Sequence, residues 1–320
     1  MSRRILITGG FGYVGSRVAQ VIAAQPDTHV ILGSREHKSP PAWLPAASTV
    51  ATPWSDDDGL KRACSNVDTV LHLAAMNEVD ALSNPVGALE MNGVNSVRLL
   101  EAAKSEGVAS FIHLSTAHVY AAPLSGHIDE STLPRPRHPY ASSHRAAEDA
   151  VLAAYDEGKI TGIVLRLSNG FGAPAHAGVN RWTLLINDLC RQAVMHRKLT
   201  MRSSGLQRRD FVTLHDVGRA FCHVIDLPVN KIGNGIFNVG GAWSPRIIDM
   251  VELVQKRCAI VLGFTPEIVS PAAEPGEASA EFNYSIEKLL ATGFSLTGDP
   301  AHEIDSTLVF CKDLYGSSNG

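Results

Sequence analysis

The chain is 320 residues long and 45% hydrophobic, enough to bury one large core or a main domain with a smaller lobe, which excludes a disordered chain. A net charge of −4 supplies no broad positive field for a phosphate backbone, which excludes a dedicated nucleic-acid binder. The five cysteines, Cys64, Cys190, Cys222, Cys258 and Cys311, are odd in number and never spaced Cys-x-x-Cys, which argues against a disulfide framework or a zinc knuckle and for a reducing, cytoplasmic location.

Two arginines near the N-terminus lead at once into an expected strand over residues 5–8, without the apolar stretch that a secretion signal needs. No later segment approaches the ~20 apolar residues of a membrane span. Directly after the strand stands Thr8-Gly9-Gly10-Phe11-Gly12-Tyr13-Val14-Gly15, and a helix is predicted over 13–24. Gly9, Gly12 and Gly15 leave room for a tight turn, for a pyrophosphate against the backbone and for helix against strand, while the helix N-terminus offers free N–H groups to phosphate. Strand, turn and helix together predict a dinucleotide site built from Gly9, Phe11, Gly12, Tyr13, Val14 and Gly15.

The second expected strand, over 30–32, runs out into Gly33-Ser34-Arg35. A carboxylate at that point would hold a ribose 2′-hydroxyl. None stands at the strand end, and Arg35 offers a 2′-phosphate a charge-assisted contact worth about 1.5–3 kcal/mol. NADP(H), contacted by Ser34 and Arg35, is therefore the expected cofactor; NAD is the alternative, with the neighbouring Glu36 on the ribose.

Further strands are predicted over 69–73, 111–115, 163–167 and 236–239, and helices over 85–105 and 140–157, the alternation of a parallel sheet covered by helices. Ala147, Val151 and Ala154 recur at helical spacing and form an apolar stripe for packing on the sheet or on a second subunit. After Asn169, loops rich in Gly, Pro and basic residues carry helices expected over 182–196, 215–224 and 247–258, and the polar tail from Gly316 reads as frayed. The fold class is α/β: a doubly wound, parallel Rossmann sheet in residues 1–168, joined again by about 210–245, with a smaller C-terminal substrate-binding lobe in 169–209 and 246–320. No metal site is expected.

Beyond the glycine turn, the chain carries His72-Leu73-Ala74-Ala75, then Asn92 followed by Leu99-Leu100-Glu101-Ala102-Ala103, then Ser115-Thr116-Ala117-His118-Val119-Tyr120. Pro139-Tyr140 with Glu148, the run from Leu165 to Gly172, and Arg209-Asp210-Phe211 leading to His215-Asp216-Val217 follow in order. This succession resembles the extended short-chain dehydrogenase/reductases, the NAD(P)-dependent nucleotide-sugar epimerase, dehydratase and reductase group. The resemblance implies a catalytic hydroxyl at Thr116, a catalytic tyrosine at Tyr140 and a lysine one helical turn later, with Leu73, Ala74, Ala75 and Asn92 lining the cofactor. It also implies sugar or diphosphate contacts from Thr116, His118, Asn169 and Arg209, and a homodimer formed through the helices near 85–105 and 140–157.

The chain departs from the family pattern at three places. His144 stands where the lysine is expected; four residues along the helix it shares a face with Tyr140 and still reaches the ribose, but with a reference pKa near 6.5 it is mostly neutral at pH 7. Ala117-His118 replaces the acidic pair of the 4,6-dehydratases, which disfavours that elimination and leaves His118 as a local acid or base or as a half-buried histidine. Glu274, in Ala273-Glu274-Pro275-Gly276-Glu277, occupies the place of a diphosphate-gripping arginine.

These readings converge on an enzyme reducing a keto group on a nucleotide-linked sugar, Tyr140 giving the proton and Thr116 orienting the carbonyl. A nucleotide-sugar 4-epimerase is the first alternative. A reductase of a carbonyl substrate without a nucleotide, favoured by Glu274, and a weakly catalytic cofactor-binding protein, favoured by His144, remain open.

Overall fold

In the computed structural model, which describes residues 2–277 and 279–316, seven parallel strands form one sheet. They are β1 (Arg3–Thr8), β2 (Thr28–Ser34), β3 (Ser48–Ala51), β4 (Thr69–His72), β5 (Ser110–Thr116), β6 (Thr161–Leu167) and β7 (Ile236–Val239). Their order is β7-β6-β5-β4-β1-β2-β3, so the winding reverses between β1 and β4. In such sheets the crevice at the reversal point, beyond the strand C-termini, is where ligands bind.

Alternation along β1 explains the two layers. Ile5 and Ile7 point into the core beneath the helices Tyr13–Ala23 and Leu214–Ile225, while Leu6 points into the opposite core beneath Asp57–Cys64, Asn95–Ser105 and Pro139–Asp156. All three side chains are buried, and truncating one to alanine costs about 2–5 kcal/mol. Val151 and Ala154 fill the second core and Ala147 is buried with them, so the stripe on the Pro139–Asp156 helix is satisfied within the chain.

A third core joins the helices Leu185–His196, Ile247–Val261 and Pro300–Tyr315. It is attached to the sheet through Asn169–Phe171, which pairs in parallel with Phe211–Thr213. Phe282–Tyr284 pairs with Gly126–Ile128 in a separate two-stranded sheet, from which the Tyr284 hydroxyl reaches the main sheet, 2.8 Å from the Arg166 carbonyl oxygen and 2.9 Å from Asn238 Oδ1.

The uninterrupted helix expected over 85–105 is instead three pieces, Pro85–Ala88, a π-helical turn Leu89–Val94, and Asn95–Ser105. Ser96 Oγ donates to the Asn92 carbonyl at 2.6 Å, a side-chain competitor for the backbone acceptor, and the turn widens there. Strand β3 and the helices Asp57–Cys64 and Pro300–Tyr315 have no counterpart among the expected elements. The tail beyond Gly316 lies outside the described residues. Among the described residues no helix is long and apolar enough to cross a membrane.

Candidate active site

The glycine turn closes as its spacing requires. Gly9 has φ +73°, and a Cβ there would stand 2.6 Å from the Ala74 nitrogen; a Cβ on Gly15 would stand 2.2 Å from the Gly9 carbonyl oxygen. Gly12 N donates to Gly9 O at 2.8 Å, and Gly12 caps the following helix without a side chain, leaving its first N–H groups free. Leu73 N donates to Thr8 O at 3.0 Å, which carries Leu73, Ala74 and Ala75 alongside the turn. Ser34 is buried at the end of β2, and Arg35 beyond it is exposed, its guanidinium without a partner among the described residues. This is a cradle that side chains would fill, and it fits a pyrophosphate.

Two aromatic residues cover the turn from different segments. Trp43, from the loop after β2, stacks on His176 with ring centres 5.3 Å apart and planes 3° apart, and His176 Nε2 lies 3.1 Å from the Phe11 carbonyl oxygen. The Lys38 ammonium sits 4.8 Å over the Phe11 ring. Neither Trp43 nor His176 belongs to a recognisable motif, and sequence reasoning misses both.

Next along the crevice come Thr116, ending β5, and Tyr140, at the start of the Pro139–Asp156 helix. His138 caps that helix, its Nδ1 accepting from Tyr140 N at 3.2 Å. Asn92 ties the parts together: its Oδ1 accepts from Met76 N at 2.6 Å, its Nδ2 donates to Ser143 Oγ at 3.0 Å, and Ser143 Oγ donates to the Tyr140 carbonyl at 2.9 Å. Burial pushes the Tyr140 phenol up to about 12, the Glu78 carboxylate adds to the rise, and Arg181 and a hydrogen bond from Thr116 draw it back.

His144 stands edge-on to Tyr140 with ring centres 4.6 Å apart, and is only 2% exposed. Burial holds it down at about 3, so it is neutral at physiological pH. Behind it follow His113, at 5.6 Å, and His72, 5.5 Å further on, a column of three buried imidazoles. Ser96 gives its proton to Asn92, so His72 Nε2 is the donor to Ser96 Oγ at 2.7 Å, and Nδ1 accepts from Thr8 Oγ1 at 2.6 Å. Both ring nitrogens of His113 and of His144 lack protein partners. The unpaired nitrogens of His144, next to Tyr140, suit the hydroxyl-rich ribose of a dinucleotide.

Behind Thr116 lies a second arrangement to which motif reading assigns no role. Parallel pairing sets Ser115 opposite Arg166, and both converge on Glu148: Ser115 Oγ donates at 2.5 Å, Arg166 Nε at 3.0 Å and Nη2 at 2.6 Å. Arg166 and Glu148 are fully buried, so this bidentate pair fixes β6 against the tyrosine-bearing helix, and Ser115 ties β5 to the same carboxylate. Register between β5 and β6 creates it, and register is not written in either strand alone.

The residues expected to meet substrate differ in their surroundings. His118 is exposed on the turn after β5, corrected from the half-buried expectation, and partial desolvation followed by the nearby Arg209 lowers its pKa. Arg209 is exposed with no side-chain partner among the described residues. Asn169 instead turns to the backbone, its Nδ2 donating to the Asp210 carbonyl at 2.8 Å. Glu274 lies on an exposed loop held by Ser204, whose Oγ donates to Glu277 Oε1 at 2.6 Å. A pair with no sequence signal, Glu78 and Arg181, is bonded at 2.9 Å. Among the described residues no cluster of three His, Cys, Asp or Glu side chains is arranged to hold a metal ion.

Comparison with known proteins bears on the whole of this arrangement. Residues 5–240 match the family described as "NAD dependent epimerase/dehydratase family". The chain is 30% identical over 268 residues to dTDP-D-glucose 4,6-dehydratase of Mus musculus, covering 79% of this chain and 73% of that one. It is 29% identical over 242 residues to UDP-glucose 4-epimerase of Rhizobium leguminosarum bv. trifolii, covering 70% and 69%. UDP-glucuronic acid 4-epimerase from Bacillus cereus, solved with UDP-glucuronic acid and NAD, superposes with a TM-score of 0.78 at 23% identity, over 98% of this chain and 100% of that one.

Proposed function

Because the chain belongs to the NAD-dependent epimerase/dehydratase family, we propose that it transfers hydride between a nicotinamide dinucleotide and a hydroxyl or keto carbon of a nucleotide-linked sugar, and that it works mainly as a keto-sugar reductase. The observation that carries the reading is the meeting of Tyr140, at the start of its helix, with the Thr116 hydroxyl that ends β5 and with the neutral, edge-on imidazole of His144, a phenol and a hydroxyl suited to a carbonyl oxygen with no cation on the helix to favour tyrosinate.

Gly9, Phe11, Gly12, Tyr13, Val14 and Gly15 would hold the pyrophosphate, Leu73 to Ala75 and Asn92 the nicotinamide half, and His144 with Tyr140 the ribose. When bound, the nicotinamide supplies the hydride. Thr116 orients the carbonyl oxygen, and Tyr140 donates its proton to that oxygen as the new carbon–hydrogen bond forms. Arg209, an exposed cation, suits the substrate's diphosphate. Ala117 and His118 put no carboxylate on the turn after β5, so elimination of the 4,6-dehydratase kind is not assigned.

We assign NADP(H) over NAD on the strength of Arg35 and the carboxylate-free strand end. A 4-epimerase is the second reading, favoured by the relative of that activity; it needs Tyr140 as base in its first half and a cofactor retained through both. The apolar side chains Leu82, Val86 and Leu89, all at least half exposed on neighbouring helical turns, support a homodimer, and a cytoplasmic location suits five free thiols.

The test is oxidation of NADPH by a panel of UDP- and dTDP-linked 4-keto sugars. Turnover that disappears in Tyr140→Phe supports the reading; a Tyr140→Phe variant as active as its parent overturns it. Cofactor that co-purifies in the oxidised form and resists dialysis would favour the epimerase. Sedimentation of the parent and of Leu82→Glu distinguishes a dimer from a monomer.

A further inference from the structure

The stretch Gly9-Gly10-Phe11-Gly12 has one side chain, that of Phe11, and so one handle by which the rest of the protein can hold it. Two segments take that handle. Trp43, from the loop after β2, sets its ring edge-on to Phe11 with centres 6.2 Å apart and planes at 83°. His176, from the segment that follows Asn169–Phe171 in the smaller lobe, stacks on Trp43 and brings Nε2 to 3.1 Å from the Phe11 carbonyl oxygen. A carbonyl oxygen only accepts, so Nε2 carries the proton and donates. Phe11 is thereby held twice, at its ring by Trp43 and at its backbone by His176.

Both arms of this clasp are anchored. Leu44 and Ala47, after Trp43, and Val179, after His176, are buried in the core beneath the Tyr13–Ala23 helix, and Phe11 and Trp43 pack on that same core. The segment leading to His176 is also bonded to the helix itself. The Tyr13 hydroxyl donates to the Gly172 carbonyl at 2.8 Å, and Arg17 Nη1 to the Ala173 carbonyl at 2.7 Å. Arg17 Nη2 further meets Glu303 Oε1, on the Pro300–Tyr315 helix, at 3.0 Å. The smaller lobe is therefore fastened to the helix whose N-terminus fits a pyrophosphate.

Resting on the coenzyme site proposed above, we propose that Trp43 and His176 are positioning residues for the dinucleotide, acting through Phe11 to hold the glycine turn in the shape that accepts a pyrophosphate and so to prolong the stay of the bound coenzyme. Glycines give this turn its freedom and make it costly to order. A turn ordered in advance leaves less of that cost to binding, and such preorganisation shows mainly as slower release. Because His176 belongs to the smaller lobe, the coenzyme site of the Rossmann half is completed from outside it.

The experiment follows coenzyme release from the full-length protein by stopped-flow, with NADPH fluorescence as the signal. A parallel series uses ADP-ribose, which has the pyrophosphate but no nicotinamide, so that Thr116 and Tyr140 do not enter. His176→Ala and Trp43→Leu are each expected to speed release of both ligands about fivefold, the size of effect that one aromatic stack and one hydrogen bond supply. The double variant is expected to release them little faster than either single one, because the two side chains act through a shared contact. Release unchanged in His176→Ala, or effects that simply multiply in the double variant, overturn the proposal. So does a fall in melting temperature with release unchanged, the mark of a merely structural contact. If Trp43→Leu does not fold, Trp43→Phe replaces it in the cycle, with release expected about twofold faster. A parent protein that binds neither NADPH nor ADP-ribose defeats the coenzyme site and this inference together; one that binds both and is indifferent to the substitutions defeats the clasp alone.

Discussion

The imidazole of His144 meets the phenol of Tyr140 edge-on, ring centres 4.6 Å apart and planes at 72°. With that imidazole neutral, nothing on the helix itself favours the tyrosinate. Replacing His144 by lysine puts a cation on the same face and is expected to raise turnover roughly tenfold near neutral pH by drawing the phenol's pKa down about one unit. Steady-state rates across pH check this. An unchanged rate at every pH counts against a role for the charge at residue 144.

The buried histidines predict acid sensitivity. In the folded chain His72 and His144 are held at about 3, against about 6.5 when unfolded. Between those values the unfolded chain binds more protons, so unfolding free energy rises with pH; the full stability is present above about 6.5 and is lost as pH falls toward about 3. Denaturant unfolding followed from about pH 8 to about pH 4 is expected to show a steep decline, flattened in His113→Phe. A flat profile in the parent protein would contradict the burial of these rings.

Glu148→Gln tests the scaffold behind the hydroxyl pair. It leaves Arg166 buried, charged and without its bidentate partner, a change that costs about 3–5 kcal/mol in comparable sites. Urea denaturation is the measurement. A loss below about 1 kcal/mol would mean that the pair does not bear on stability as the geometry requires.

Arg35→Ala addresses cofactor choice. Removing one charge-assisted contact to a 2′-phosphate is expected to weaken NADP(H) binding by about tenfold or more and to leave NAD(H) nearly unchanged. Calorimetric titration with both dinucleotides decides it, and tighter binding of NAD by the parent protein would overturn the assignment.

Much of this architecture is legible from local pattern. The turn from Thr8 to Gly15 sits between strand and helix as its glycines demand, because at Gly9 and Gly15 a methyl group would strike backbone, a constraint that acts within a short stretch of chain. Thr116, Tyr140 and His144 are reached through a chain of motifs and do come together. What sequence pattern leaves out depends on tertiary context. Glu78 and Arg181 are 103 positions apart, and only the placement of the smaller lobe joins them. The π-helical turn at Leu89–Val94 hides inside a stretch with good helical periodicity, since it arises from hydrogen bonds of Asn92 and Ser96 rather than from the spacing of apolar residues. Strand β3, four half-buried residues at the sheet edge, has too little pattern to stand out.

The reach of the Tyr284 hydroxyl to the main sheet bears on biosynthesis. While the ribosome is still making residues beyond 250, the Arg166 carbonyl and the Asn238 amide lack the phenol that later bonds them. The Asn238 amide oxygen already has the Tyr120 hydroxyl at 2.8 Å, so what waits for residues 282–284 is the phenol that ties it to the Arg166 carbonyl, and the edge of the main sheet gains that tie only after those residues are made.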